Sequence, residues 1–142
     1  SWDFIRENYA LTGILKVEIA KTDKGGALKL TVETTNPTYT ITWNVYVDLV
    51  DNNVLPCIDR KNRSVDGNEI SAIYNFSTIE MNKLKITDIK TIRFNIDGKN
   101  TGFGSQTGFF TATNKKKYFS TTYDKSKKGF DTAKEIAALY QK

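Results

Sequence analysis

Histidine is absent from all 142 residues, and cysteine occurs once, as Cys57. Histidine is the usual general base near neutral pH and the commonest protein ligand for transition metals. Its absence excludes Ser-His-Asp and Cys-His nucleophile systems, His-based zinc or iron sites and His proton shuttles. A single cysteine excludes an intrachain disulfide and any CxxC redox or metal pair. Proline is nearly as scarce. Only Pro37 and Pro56 interrupt the chain, which suits long unbroken strands. No apolar run approaches the length of a membrane-spanning helix, so no transmembrane segment is expected. The chain opens on Ser1-Trp2-Asp3 without a methionine or a visible signal peptide, so its start reads as processed or trimmed.

What is present is a globular composition, with 39% hydrophobic and 12% aromatic residues, enough to bury roughly two thirds of the unfolded surface in one core. No repeat, linker or low-complexity tract divides residues 1–142, which read as a single domain. The net charge of +5 is unevenly placed. Residues 1–71 carry eight Lys/Arg against ten Asp/Glu, a net of −2, and residues 72–142 carry thirteen against six, a net of +7. That asymmetry suggests an anionic partner on one side of the molecule.

Two-residue periodicity dominates the middle of the chain. Leu15, Val17 and Ile19 alternate with Lys16 and Glu18, and Leu28, Leu30 and Val32 alternate with Lys29, Thr31 and Glu33 across the Gly25-Gly26 turn. This pattern predicts a hairpin. Tyr39, Ile41, Trp43, Val45, Val47 and Leu49 define the clearest strand, all expected on one buried face. Val54–Asp59 is expected as a short edge strand, and further strands around Ile70–Phe76, Ile92–Ile96, Phe109–Thr113 and Tyr118–Tyr123. Trp2, Ile5 and Tyr9 stand at helical spacing, which predicts a short N-terminal helix. Thr132-Ala133-Lys134-Glu135 matches a capping box ahead of an amphipathic stripe of Ala133, Ile136, Ala137 and Tyr140.

The expected fold is therefore mostly β: one antiparallel domain of about seven strands with a short N-terminal helix, closed by a C-terminal amphipathic helix. An open β-sandwich and a small bent barrel both fit that order. The capped barrel is similar in layout to pleckstrin-homology-like folds. That family usually carries a tryptophan in the closing helix, whereas the tryptophans here are Trp2 and Trp43. Its lipid-binding members cluster Lys and Arg around the first hairpin, where this chain offers only Lys21 and Lys24, so phosphoinositide binding does not carry over.

The most suggestive segment for function is Lys115-Lys116-Lys117-Tyr118, continuing through Tyr123 to Lys125, Lys127 and Lys128, which interleaves cations with aromatic rings. Ammonium groups release counterions from phosphates or sulfates, and an exposed ring can stack on a base or sugar. A polyanion, an acidic protein or an anionic membrane are the partners such chemistry would meet. The same lysines equally suit a solvated turn. None of the four arginines lies in this segment, which disfavours sequence-specific reading of nucleic acid.

The Gly102-Phe103-Gly104 run leads into a strand rather than a helix, so it reads as a hairpin and not a phosphate cradle. Asp66-Gly67-Asn68-Glu69 and Asp97-Gly98-Lys99-Asn100 lack the ligand spacing of a calcium loop and read as turns. Cys57 beside Leu55 and Ile58 reads as a buried structural thiol. Asn62-Arg63-Ser64 and Asn75-Phe76-Ser77 match the glycosylation pattern, which matters only in a eukaryotic secretory context. No cofactor motif is present. The expectation is a non-catalytic binding or adaptor domain acting through a surface. A structural or assembly component is the second reading, and an enzyme using carboxylates or a Tyr-Lys pair the third. A chain rich in Thr, Asn, Lys and Tyr resembles extracytoplasmic bacterial proteins in composition.

Overall fold

Hairpins of alternating sequence dominate the computed structural model, which describes residues 2–8, 11–34, 39–97, 108–114 and 129–141. The first strands are β1 (Trp2–Asn8), β2 (Leu11–Thr22) and β3 (Gly25–Glu33), followed by β4 (Thr40–Leu49), β5 (Val54–Cys57), β6 (Arg63–Asp66) and β7 (Glu69–Ser77). Helix α1 (Thr78–Leu84) precedes β8 (Ile89–Asp97) and β9 (Gly108–Thr113), and α2 (Thr132–Ala138) closes the chain. The nine strands form one antiparallel sheet in the order β5-β4-β8-β9-β1-β2-β3-β7-β6.

The expected hairpin forms as β2–β3, with Val17 opposite Leu30 and Ile19 opposite Leu28. Its inward residues join those of β4, β7, β8 and β9 in one hydrophobic cluster. Phe94 and Phe110 stack within it, with centroids 5.6 Å apart and ring planes 16° from parallel. A side-chain bond links strands near the two ends of the sheet. Arg63, opening β6 at one end, donates from Nε to the carbonyl of Ile41 in β4 near the other, at 2.6 Å.

The N-terminal segment corrects the expected helix. Trp2–Asn8 is a strand, paired to β2 on one side and β9 on the other. Trp2 and Phe4 also fit a period of two, and they pack inward opposite Val17 and Leu15. Pairing on both flanks satisfies more backbone groups than an isolated ten-residue helix, which is marginal in water. Among the described residues the strands number nine because β1 and the short β6 join those expected. Tyr118–Tyr123 lies outside the described residues.

Helix α1 was not expected. Ser77 and Glu80 form its capping box: the Ser77 hydroxyl accepts from Glu80 N, and the Glu80 carboxylate accepts from Ser77 N. Met81 and Leu84 then fall three apart and are buried.

The C-terminal helix is present, but its expected capping box is not. Asp131 is the N-cap. Thr132 instead accepts from Ile89 N at 2.8 Å, and the Glu135 carboxylate accepts from the indole N–H of Trp2. Asp88 supplies the missing partner, accepting from Ala133 N at 3.0 Å. Ile136 is the side chain of this helix that enters the core; full burial of such a group stabilises by ~1.5–3 kcal/mol. Lys21 and Lys85 flank the Tyr140 ring at 4.8 and 4.1 Å. Among the described residues no helix is long and apolar enough to cross a membrane.

Gly25 and Gly26 let the β2–β3 turn approach α1. At Gly25, φ is +142°, and an added Cβ would collide with the backbone of Phe76 and Ser77. At Gly26 it would meet only the flexible end of Met81. We expect Gly25→Ala to cost at least ~2 kcal/mol and Gly26→Ala clearly less, measured by urea denaturation. Equal costs would contradict this packing.

Candidate functional site

Strand β4 departs from simple alternation at one place. Ile41, Val45, Val47 and Leu49 are buried as expected, but Trp43 is 60% exposed, which corrects its assignment to the inward face. The cause is a bulge. Thr42 pairs with Asn95 and Tyr46 with Arg93, so three residues of β4 face Phe94 alone. The two extra residues preserve the inward register of Val45 while turning Trp43 out. Its φ of +66° lies in the left-handed region, which costs a bulky L-residue roughly 1–2 kcal/mol.

Asp59, in the β5–β6 connection, holds that conformation. Its Oδ2 accepts from Trp43 N at 3.2 Å, and its own amide donates to Oδ1 of Asn44 at 2.9 Å. Its other oxygen accepts from Lys61 N at 2.8 Å, and the Arg63 guanidinium pairs with Oδ2. Because Arg63 also bonds Ile41, one carboxylate links the bulge to both β6 and β4.

On the outer face, the Trp43 ring reaches across β8 to Phe109 on β9, with centroids 5.5 Å apart and planes at 58°. Phe109 is 66% exposed. Asn95, paired with Thr42 on one side and Phe109 on the other, is an outward-facing residue only 7% exposed, and its amide donates to Oγ1 of Thr42 at 2.9 Å. One row along, Arg93 lies over the Tyr46 ring, 5.0 Å from its centroid. It forms two hydrogen bonds of 2.9 Å with the Asp48 carboxylate, which also accepts from Thr91 Oγ1 at 2.7 Å. The hydrogen bonds to Asp48 push the Arg93 guanidinium further above its ordinary range. The result is two exposed rings beside polar groups already fixed by one another, with one cation and one anion that cancel.

Most residues singled out from the sequence as a candidate site are not among those described. Lys115, Lys116, Lys117, Tyr118, Tyr123, Lys125, Lys127 and Lys128 lie outside the described residues, as do Gly102-Phe103-Gly104 and Gly98–Asn100. Asp66–Glu69 is the β6–β7 turn, with Gly67 at φ +60°. No three Cys, Asp or Glu side chains converge to hold a metal among the described residues. An open groove of about 750 Å³ runs between the β2–β3 turn and Pro56, Ile58 and Arg60, but its charges are mixed and Glu80 is committed to capping α1. The rings and their clasp were missed because each depends on a partner 15 or more residues away. The one local signal was Asn44 directly after a tryptophan inside a strand.

Compared with protein-family models, curated proteins and solved structures, the chain matches none.

Cys57 is buried as expected, and burial, reinforced by the nearby Glu80, pushes its thiol from the ordinary 9.0 up to about 12. Burial, then the charge of Asp59, raises Tyr74 in the same direction; its buried hydroxyl has no hydrogen-bond partner among the described residues. Both groups ionise more readily unfolded than folded. Their contribution to stability is therefore complete below the ordinary pKa values and is lost as pH rises toward the raised ones. We expect the native thiol to resist alkylation until unfolding, and Tyr74→Phe to gain up to ~1 kcal/mol while flattening the alkaline decline. Rapid alkylation of folded protein, or a destabilised Tyr74→Phe, would contradict this.

Proposed function

We propose that the protein is a non-catalytic binding domain that works through the outer face of β4, β8 and β9. The supporting observation is Trp43. A large ring held out in water, on a backbone conformation that costs free energy, gains nothing for the fold that an inward tryptophan would not gain better. Strained, clasped and exposed residues of this type are found where a ligand is met. Tryptophan, tyrosine and arginine also recur as binding hot spots, and here all three share one face.

The polar groups support binding rather than catalysis. Asp48 is engaged by Arg93 and Thr91, and the groups with raised pKa, Cys57 and Tyr74, are buried in the core. The sheet edges are poorly suited to strand addition. Edge strand β5 contains Pro56, and edge strand β6 is four residues long with Arg63 and Asp66 at its ends.

Amide NMR spectra recorded with separate probes test the reading: a neutral oligosaccharide, heparin, single-stranded DNA and anionic vesicles. We expect at least one probe to shift amides confined to Thr42–Tyr46, Arg93–Asn95 and Phe109–Thr111. Shifts confined to Lys115–Lys128 would move the site to the lysine segment. Self-association abolished by Trp43→Ala would favour an assembly component.

A further inference from the structure

Resting on that reading, we infer that the ligand of this face is a neutral polysaccharide, one sugar stacking on Trp43 and Phe109 while the hydroxyls of the chain meet the polar groups around them. Four properties of the face select this class.

The first is charge. Arg93 and Asp48 neutralise each other through two 2.9 Å bonds, the neighbouring outward side chains Thr42, Thr91, Asn95 and Thr111 are neutral, and the next charge along β8, Asp97, is an anion. A polyanion needs several free cations to release its counterions, and the cation described here, Arg93, is already paired. A described cation that is already paired, beside an anion, favours a neutral ligand over a polyanion.

The second is the ring geometry. Trp43 and Phe109 meet at 58°, so they form an angled platform rather than a flat apolar sheet. A sugar ring presents an apolar C–H face to an aromatic ring and hydroxyls around its rim. The rim would meet hydroxyl, guanidinium and carboxylate groups of the kinds carried by Thr42, Arg93 and Asp48, with Asn95 holding Thr42 in place beneath them.

The third is pre-organisation. Asn95 is fixed by Thr42, and Asp48 by Arg93 and Thr91, so little side-chain freedom remains to be lost on binding.

The fourth is extent. A stable protein interface buries roughly 1,200–2,000 Å² around a dehydrated apolar centre. Two rings and a half-stacked tyrosine flanked by threonines offer a smaller apolar area, sufficient for a few sugar units. Among the other exposed apolar residues, Val54 on edge strand β5 stands opposite Asp48 at the border of this face, while Ile79 lies on α1 and Ile86 follows it.

The two tryptophans provide the readout. Trp2 is buried and bonded to Glu135, so ligand-dependent changes in indole emission report Trp43. The test is affinity electrophoresis through gels containing starch, mannan, xylan or mixed-linkage β-glucan, each repeated at low and high salt, followed by fluorescence titration with the retarding glycan. We expect at least one to retard the native chain independently of salt and to shift its emission to the blue. Trp43→Ala should weaken binding about tenfold or more, and Phe109→Ala several-fold, with unchanged circular dichroism. Trp43→Phe should retain part of the affinity, and the combined Lys115→Ser, Lys116→Ser and Lys117→Ser variant all of it.

Retardation by none of these glycans, or retardation that survives in Trp43→Ala, would overturn the inference. A different probe shifting the amides of this face would then leave the binding reading standing and replace only the ligand class. Retention on heparin alone, lost in the triple lysine variant, would overturn both.

Discussion

The Asp59 carboxylate accepts hydrogen bonds from three points in the chain at once: the amides of Trp43 and Lys61 and the guanidinium of Arg63. The rest of the structure depends on this clasp in two ways. Through Arg63 and the Ile41 carbonyl it links β6, at one end of the sheet, to β4 near the other. Through the Trp43 amide it stabilises a backbone conformation that a tryptophan otherwise avoids. Hydrogen bonds to a charged group contribute ~1.5–3 kcal/mol each, enough to offset the roughly 1–2 kcal/mol of left-handed strain.

One strand therefore serves two environments. The inward residues of β4 are held by burial, and Phe94 fills the core opposite the bulge, so the bulge opens no gap in the register of Val45 and Val47. Outward, the two inserted residues place Trp43 beside Phe109, above threonine, asparagine and the Arg93–Asp48 ion pair. The ion pair is half-exposed and adds little stability by itself. Its consequence is orientation: Arg93 lies against Tyr46 and Asp48 is locked toward Thr91. A chain without histidine has few routes to acid–base chemistry, but stacking and hydrogen bonding need none.

Local patterns in the sequence revealed most of the sheet. The β2–β3 hairpin, the buried faces of β7 and β8, the edge position of β5 and the closing helix all follow from periodicity and turn residues close together in the chain. The errors came where distant partners decide. Trp2–Asn8 has both helical and extended spacing, and only its pairing with β2 and β9 selects the strand. Thr132 and Glu135 have the residue types of a capping box, yet Ile89 and Trp2 claim their oxygens. Ser77 and Glu80 were a genuine box hidden at the end of a strand. The candidate site was the least legible, since alternation alone assigns Trp43 inward. Its outward turn needs Asp59, sixteen residues on, and its companion ring lies on β9. The lysine segment stood out by composition, a signal that carries charge but no geometry.

The most direct measurement is the backbone torsion of Trp43 in solution, from its three-bond HN–Hα coupling and backbone chemical shifts, in the native chain and in Asp59→Ala. We expect a left-handed Trp43 in the native chain, relaxing toward an extended conformation in the variant while the signals of β2, β3 and β7 stay in place. An extended Trp43 in the native chain, or a left-handed one that persists without Asp59, would contradict the clasp and the displayed ring that depends on it.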